Sequence, residues 1–167
     1  MIWAMDENHL IGNGDKIPWH IKEDLIYYKN KTKGQTVLMG EATYYSLKGY
    51  YKTKPLPYGT IYVASLTKDL ALEDAIVVAD IQDFLSKYKE DLWVVGGATV
   101  YKLSLPYADR LYISFIKGNH IGDKYFPTID FSNYQLIWSS ESSLVKYTVF
   151  ETVSYTHLRA HETLRHL

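Results

Sequence analysis

The sequence predicts an α/β domain: a mostly parallel central sheet with helices on both faces and an antiparallel strand pair at the C-terminal end. Three observations predict it. Residues 36–39, 60–64, 75–79 and 92–95 are short, continuous apolar runs, without the in–out alternation of a sheet that faces water on one side. Helical patterns stand between most such runs, as crossovers between parallel strands require. Gly40 and Gly96-Gly97 each follow such a run directly and lead into a helical segment. Ligands of sheets of this class gather at the carboxyl ends of the strands, where these glycines fall.

Taken in order, residues 1–5 read as an apolar strand, closed by the turn-rich Asp6-Glu7-Asn8. Residues 10–15 form a glycine-rich loop leading to Pro18. Proline cannot sit inside a helix, so the chain enters extended and turns helical from about residue 21 to 31, where Lys33-Gly34 end it. Ile21, Leu25, Tyr28 and Thr32 recur at helical spacing and predict its buried face. A strand at 36–39 leads to a helix over 42–48, with Thr43 or Ser46 available as caps. Residues 49–59, with Pro55-Leu56-Pro57, read as an irregular loop. Strands at 60–64 and 75–79 precede a helix over 81–88, in which Ile81, Phe84, Leu85 and Tyr88 share a face. A strand at 92–95, a helix from about 99 to 103 and a strand at 110–116 follow. Residues 117–127 are a polar loop. Residues 135–140 and 146–153 form the closing antiparallel pair, joined by the turn Glu141-Ser142-Ser143.

No linker divides this pattern, and 167 residues suit one domain, expected over 1–153. Residues 154–167 change composition abruptly and are expected to lie outside the fold or to be foreign to it. His157 and His161 there are four apart, but no third ligand stands near, so no metal site is expected. A net charge of −1 gives no basic surface of the kind that nucleic acids or anionic membranes select. No apolar run approaches a membrane span, and no signal-peptide pattern opens the chain. With no cysteine there is neither a disulfide framework nor thiolate chemistry. A cytoplasmic, monomeric protein acting on small molecules is expected. The sixteen tyrosines form no repeat and read as half-buried packing.

Two features carry chemistry. Asp24 sits on the apolar side of the first helix, where burial raises a carboxyl pKa. Position alone equally allows a first-turn acid that complements the helix dipole. The segment Gly96-Gly97-Ala98-Thr99-Val100-Tyr101 opens a helix after a strand, so backbone can approach a ligand closely and N–H groups face a phosphate. It lacks the full G-x-G-x-x-G pattern and decides nothing alone. Gly40-Glu41-Ala42-Thr43 is a second such junction, and two together favour a dinucleotide.

The order of the motifs is more specific than any one of them. Leu10-Ile11-Gly12, Pro18-Trp19, Asp24, Met39-Gly40 with Thr43, Pro55-Leu56-Pro57, Val95-Gly96-Gly97 with Val100-Tyr101, and Gly122-Asp123 with Phe126-Pro127 follow one another across nearly all of residues 1–153. This ordered set resembles the dihydrofolate reductase family. The resemblance implies hydride transfer from NADPH to the pterin ring of dihydrofolate, giving tetrahydrofolate. Asp24 matches the family's active-site acid, Trp19 the tryptophan packed beside it, and Ser114 the hydroxyl bonded to it. Ala4, Met5, Leu25, Tyr28, Leu47, Val95 and Tyr101 match the substrate walls. Ile11, Gly12, Asn13 and Lys16 match the loop that closes over the nicotinamide. Gly96, Gly97, Ala98, Thr99, Val100 and Tyr101 match the pyrophosphate and nicotinamide segment, and Gly40, Glu41, Ala42, Thr43 and Ser65 the remaining cofactor wall.

The chain departs from the family at three cofactor positions. Glu41 and Thr99 stand where basic residues are usual, and Ala64 where a hydroxyl is usual, which opens the cofactor side to NADH. Tyr58-Gly59 replace the arginine that usually grips the glutamate tail of folate, leaving Lys48, Lys52 or Lys54 as substitutes. The riboflavin-pathway reductase shares this fold, but Pro18-Trp19 followed by Asp24 speaks against it. A pterin- or nucleotide-binding relative with weakened turnover is the other alternative, motivated by Glu41 and the missing arginine.

Overall fold

The computed structural model describes residues 1–14 and 16–153; the expectation for residues 154–167 falls outside them. β1 (Ile2–Asp6) and β2 (Leu10–Gly12) lead to α1 (Lys22–Thr32), β3 (Val37–Gly40), α2 (Glu41–Tyr51), β4 (Ile61–Ala64), β5 (Ile76–Val78) and α3 (Ile81–Lys87). β6 (Trp93–Val94), α4 (Ala98–Ser104), β7 (Arg110–Ile116), β8 (Lys124–Tyr125), β9 (Tyr134–Glu141) and β10 (Val145–Thr152) complete the order.

The strands pair as two four-stranded sheets, β5-β4-β3-β6 and β1-β7-β10-β9, with β2 and β8 as a separate pair. The first is parallel throughout. In the second, β1 runs parallel to β7, while β10 is antiparallel to both β7 and β9. The helix-free connection at the end of the chain thus produces the antiparallel pair that it predicts.

The two sheets share two of the three hydrophobic clusters among the described residues. Trp3, Met5, Leu111 and Ile113 of one pack with Leu38 and Val94 of the other, beneath Ile81 and Val100. On the opposite side Ile2 packs with Val37, Met39, Ile61 and Val63, beneath Tyr44. Val37, Leu38 and Met39 are each fully buried, as a strand covered on both faces must be.

Three local expectations change. The glycine-rich loop contains β2, and the polar loop over 117–127 contains β8, its antiparallel partner. β2, Leu10-Ile11-Gly12, is apolar but only three residues long, and β8 is a two-residue polar strand, so neither reads from sequence; the pairing is tertiary. Second, α2 runs on to Tyr51, past Gly49. A helical glycine costs about 1 kcal/mol, and packing of Tyr51 on the second core opposes that cost. Third, Gly40 is the N-cap of α2 without any side-chain cap, so neither Thr43 nor Ser46 caps it.

Candidate active site

Residues 2–4 of β1, the carboxyl ends of β3 and β4, the α1 helix and the β2 loop enclose a cleft of about 820 Å3. That volume is in the range of small-molecule sites, typically about 300–1,000 Å3. Asp24, Leu25, Tyr27 and Tyr28 of α1 stand at one end, and Glu41, Ser65, Leu66 and Ala79 line the wall formed by β3, α2, β4 and β5. Gly96 and Gly97 lie between.

Asp24 is placed by two elements. α1 starts only after Pro18, and its first turn turns the carboxyl inward; β1 and β7 then bring up the opposite wall. Their parallel register sets Ala4 beside Ser114, whose hydroxyl favours the charged form of Asp24. Burial pushes the Asp24 pKa up; the Ser114 hydroxyl opposes this shift, and the neighbouring charge of Glu23 adds to it. Trp19 is buried against Ile116, Val145 and Tyr147, and meets His120 edge-on at 5.2 Å. Glu23, the other first-turn acid, points elsewhere: it accepts from Ser142 Oγ at 2.5 Å and Tyr147 Oη at 3.0 Å. The two adjacent acids are therefore separated in role, with only Asp24 on the cleft.

The predicted buried face of α1 is correct at Thr32 but not at Leu25, which is 42% exposed. That face borders the cleft rather than solid core, so helical spacing finds the side but overstates its burial. Met5 is a correction. Met5 is fully buried in the first core and is not among the β1 residues that line the cleft, which are Ile2, Trp3 and Ala4. Ile2, which a period of two from Ala4 could have flagged, has a carbonyl that accepts from Tyr101 Oη at 2.9 Å. Asn13 is not on the cleft wall either; it exchanges both backbone hydrogen bonds with Lys16. Leu25, Tyr28, Leu47, Val95, Tyr101, Ile11, Gly12, Lys16, Gly40, Ala42, Thr43, Ala98, Thr99 and Val100 all line it as expected. Tyr27 was not anticipated: its buried hydroxyl has no hydrogen-bond partner among the described residues.

The two glycine junctions touch. Gly40 N–H donates to Gly96 O at 2.8 Å, and the Gly96–Gly97 peptide is cis. Gly96 has φ +129°, in the region that side chains disfavour, and a Cβ there would come to 3.6 Å from Thr43 Oγ1. Backbone is thus left bare along the cleft between the two junctions. The β2 loop is latched over the cleft mouth: Asp123 N–H donates to Gly12 O at 3.0 Å, Gly14 N–H donates to Asp123 Oδ1 at 2.9 Å, and the Lys124 amine donates to Gly14 O. Gly122 has no alternative here, since a Cβ would fall 2.3 Å from Gly12 O.

At the far wall Glu41 accepts hydrogen bonds from Ser65 and from Thr67 Oγ1, the latter at 3.0 Å. Bonds from Ser65, Thr67 and Tyr45 hold its pKa below the usual carboxylate range. At the tail end Tyr28 and Tyr58 share a hydroxyl–hydroxyl bond of 2.9 Å, and Lys48 pairs with Asp74 at 2.7 Å. Among the described residues there is no cluster of potential metal ligands and no helix long and apolar enough to cross a membrane.

Comparison with known proteins agrees with this geometry. A sequence-family model for dihydrofolate reductase matches residues 1–158. Dihydrofolate reductase of Bacillus subtilis is 37% identical over 144 residues, covering 85% of this chain and 83% of the relative. That of Mycoplasma pneumoniae is 37% identical over 159 residues, covering 89% and 92%. The solved structure of dihydrofolate reductase from Enterococcus faecalis, complexed with NADP(H) and RAB-propyl, superposes with a TM-score of 0.79 at 29% identity, covering 92% of this chain and 95% of that one. The chain belongs to the dihydrofolate reductase family, whose members are NADPH-dependent oxidoreductases.

Proposed function

We propose that this chain reduces 7,8-dihydrofolate to tetrahydrofolate with NADPH, and that Asp24 supports protonation of the pterin at N5. The observation that carries the reading is Asp24 itself: a carboxyl with a raised pKa, with the Ser114 hydroxyl favouring its charged form, at the closed end of a dinucleotide-sized cleft.

Reduction of a C=N bond requires a hydride at carbon and a proton at nitrogen. When bound, NADPH supplies the hydride. The residues fit such a group: bare backbone at Gly96 and Gly97, the N-terminus of the eleven-residue α2, and the apolar surfaces of Val95, Val100 and Ile11 line one continuous wall.

Asp24 faces two demands. As a carboxylate it accepts hydrogen bonds from the pterin's amino group and N3, which orients the ring. With its pKa raised, it holds a proton at a higher pH than an exposed aspartate would, and so keeps the N5 side acidic near neutrality. Ser114 limits the shift by favouring the charged form. Trp19, packed on Ile116, Val145 and Tyr147, lines the cleft with the acid and is the residue assigned to help hold an ordered water beside it. The latched β2 loop closes the mouth and fixes the distance between donor and acceptor. Tyr28, Leu25 and Leu47 form the apolar walls for the substrate.

The domain is proposed as residues 1–153, acting as a cytoplasmic monomer on small molecules. The test is consumption of NADPH by the purified chain, which should require added dihydrofolate. No turnover with either NADPH or NADH would contradict the reading, and turnover of a ribosylaminopyrimidine instead would reassign it to the riboflavin-pathway reductases.

A further inference from the structure

Glu41 is the acid of the cleft that the reduction leaves without a task. We propose that Glu41 fits the adenosine-ribose corner to a free 2′-hydroxyl, so that the enzyme accepts NADH about as well as NADPH. This rests on the dinucleotide reading of the cleft given above.

Three features of the corner support it. The first is charge. Glu41 lines the cleft beside Ala64, Ser65 and Leu66, and none of these is a cation. The cations lining the cleft among the described residues are Lys16 and Lys124, which belong to the β2 loop and β8, and the Lys124 amine is held by Gly14 O. Thr99, at the start of α4, is neutral. A 2′-phosphate placed here would meet a carboxylate, while Lys48, the cation of α2, does not line the cleft and pairs with Asp74 at 2.7 Å.

The second feature is donor direction. Ser65 Oγ and Thr67 Oγ1 are the hydroxyls that could serve a phosphate, and both donate to Glu41 Oε1. A phosphate is an acceptor only and could not replace Glu41 without breaking both bonds. The third is remaining capacity. A carboxylate has about four lone-pair sites, and the hydrogen bonds from Ser65 and Thr67 both fall on Oε1, so capacity remains for a further donor. A ribose hydroxyl is such a donor. Across dinucleotide enzymes, an acid at this point of the ribose marks the free 2′-hydroxyl and an arginine marks the phosphate. Glu41 also stays ionised near neutrality, because the same hydroxyls stabilise its charged form.

The test compares kcat/KM for NADPH and NADH at saturating dihydrofolate in the full chain, in Glu41→Gln and in Glu41→Arg. The wild-type ratio of NADPH to NADH is expected below tenfold. Glu41→Gln should raise it at least threefold and Glu41→Arg at least tenfold, through a lower KM for NADPH. A wild-type ratio of tenfold or more, or a ratio unmoved by both substitutions, would overturn the proposal. Calorimetric titration with ADP-ribose and 2′-phospho-ADP-ribose separates this from failure of the reduction itself. Affinities for the two within tenfold support the ribose assignment even in a protein without turnover, and a stronger preference for the phosphorylated fragment refutes it.

Discussion

One cleft holds two carboxyl groups whose surroundings drive them in opposite directions. Asp24 is enclosed by α1, β1 and β7, and burial pushes its pKa up. Glu41 sits at an open rim, where hydrogen bonds from Ser65, Thr67 and Tyr45 hold its pKa down. The same functional group is therefore driven toward its neutral form at one end and toward its charged form at the other. Sites that run acid–base chemistry at neutral pH are built on such divergence. What differs is not the residue type but whether apolar walls or hydroxyl donors surround it.

Asp24→Asn tests the comparison most severely. It should lower kcat/KM by about 10²–10⁴-fold at neutral pH, the usual contribution of a positioned acid or base. It should also raise the melting temperature at neutral pH. The sign follows from the raised pKa: Asp24 stabilises the fold while protonated, and that stability is lost as pH rises from the unfolded toward the folded pKa. Thermal melts from pH 4 to 8 should show the variant gaining on the wild type as pH increases. A variant that retains full activity would reduce Asp24 to a helix-dipole acid.

The next effect comes from the latch. Gly122→Ala drives a Cβ into Gly12 O and must push the β2 loop off β8. Displacing a lid by about 1 Å can cost about 100-fold in rate. Loss of turnover with far-ultraviolet circular dichroism preserved would place the damage in closure; unaltered turnover would remove the latch from the account.

Ser114→Ala is smaller and sharper. Its hydroxyl opposes the rise in the Asp24 pKa, so its removal should move the pH–rate inflection upward, by less than about one pH unit for an interaction worth about 1 kcal/mol. A downward shift would reverse the assigned role.

The two ends also differ in how far they could be read from sequence. Asp24 and the Gly96-Gly97 junction are legible because proline, paired glycine and apolar runs constrain the backbone locally, whereas Trp19 and Ser114 follow only from the resemblance to the family. The position of Asp24 left its role open between dipole and cleft, and only the register of β1 on β7, a contact over more than a hundred residues, brings Ser114 to it. Met5, which the resemblance places at the substrate wall, is fully buried in the first core, a burial that the residue match alone does not carry. The β2–β8 pair and the extension of α2 past Gly49 depend on tertiary contacts that no local pattern carries. The hydroxyl cage around Glu41 was equally hidden, since Ser65 and Thr67 meet it only when β4 lies beside β3.

Tyr58→Phe removes the bond to Tyr28 and should lower stability by about 1 kcal/mol, read from urea unfolding. The smallest expected effect is none. A chain ending at Val153 should keep both melting temperature and kcat, and a large fall in either would extend the domain beyond residue 153.

The central claim is that Asp24 owes its chemistry to burial, and the pH dependence of the hydride-transfer rate tests it most directly. In single-turnover measurements with NADPH and dihydrofolate, the wild-type rate should fall with rising pH through an inflection above the ordinary aspartate range. In Asp24→Asn that inflection should vanish. An inflection that persists in the variant, or one in the wild type at or below the ordinary aspartate value, would contradict the account.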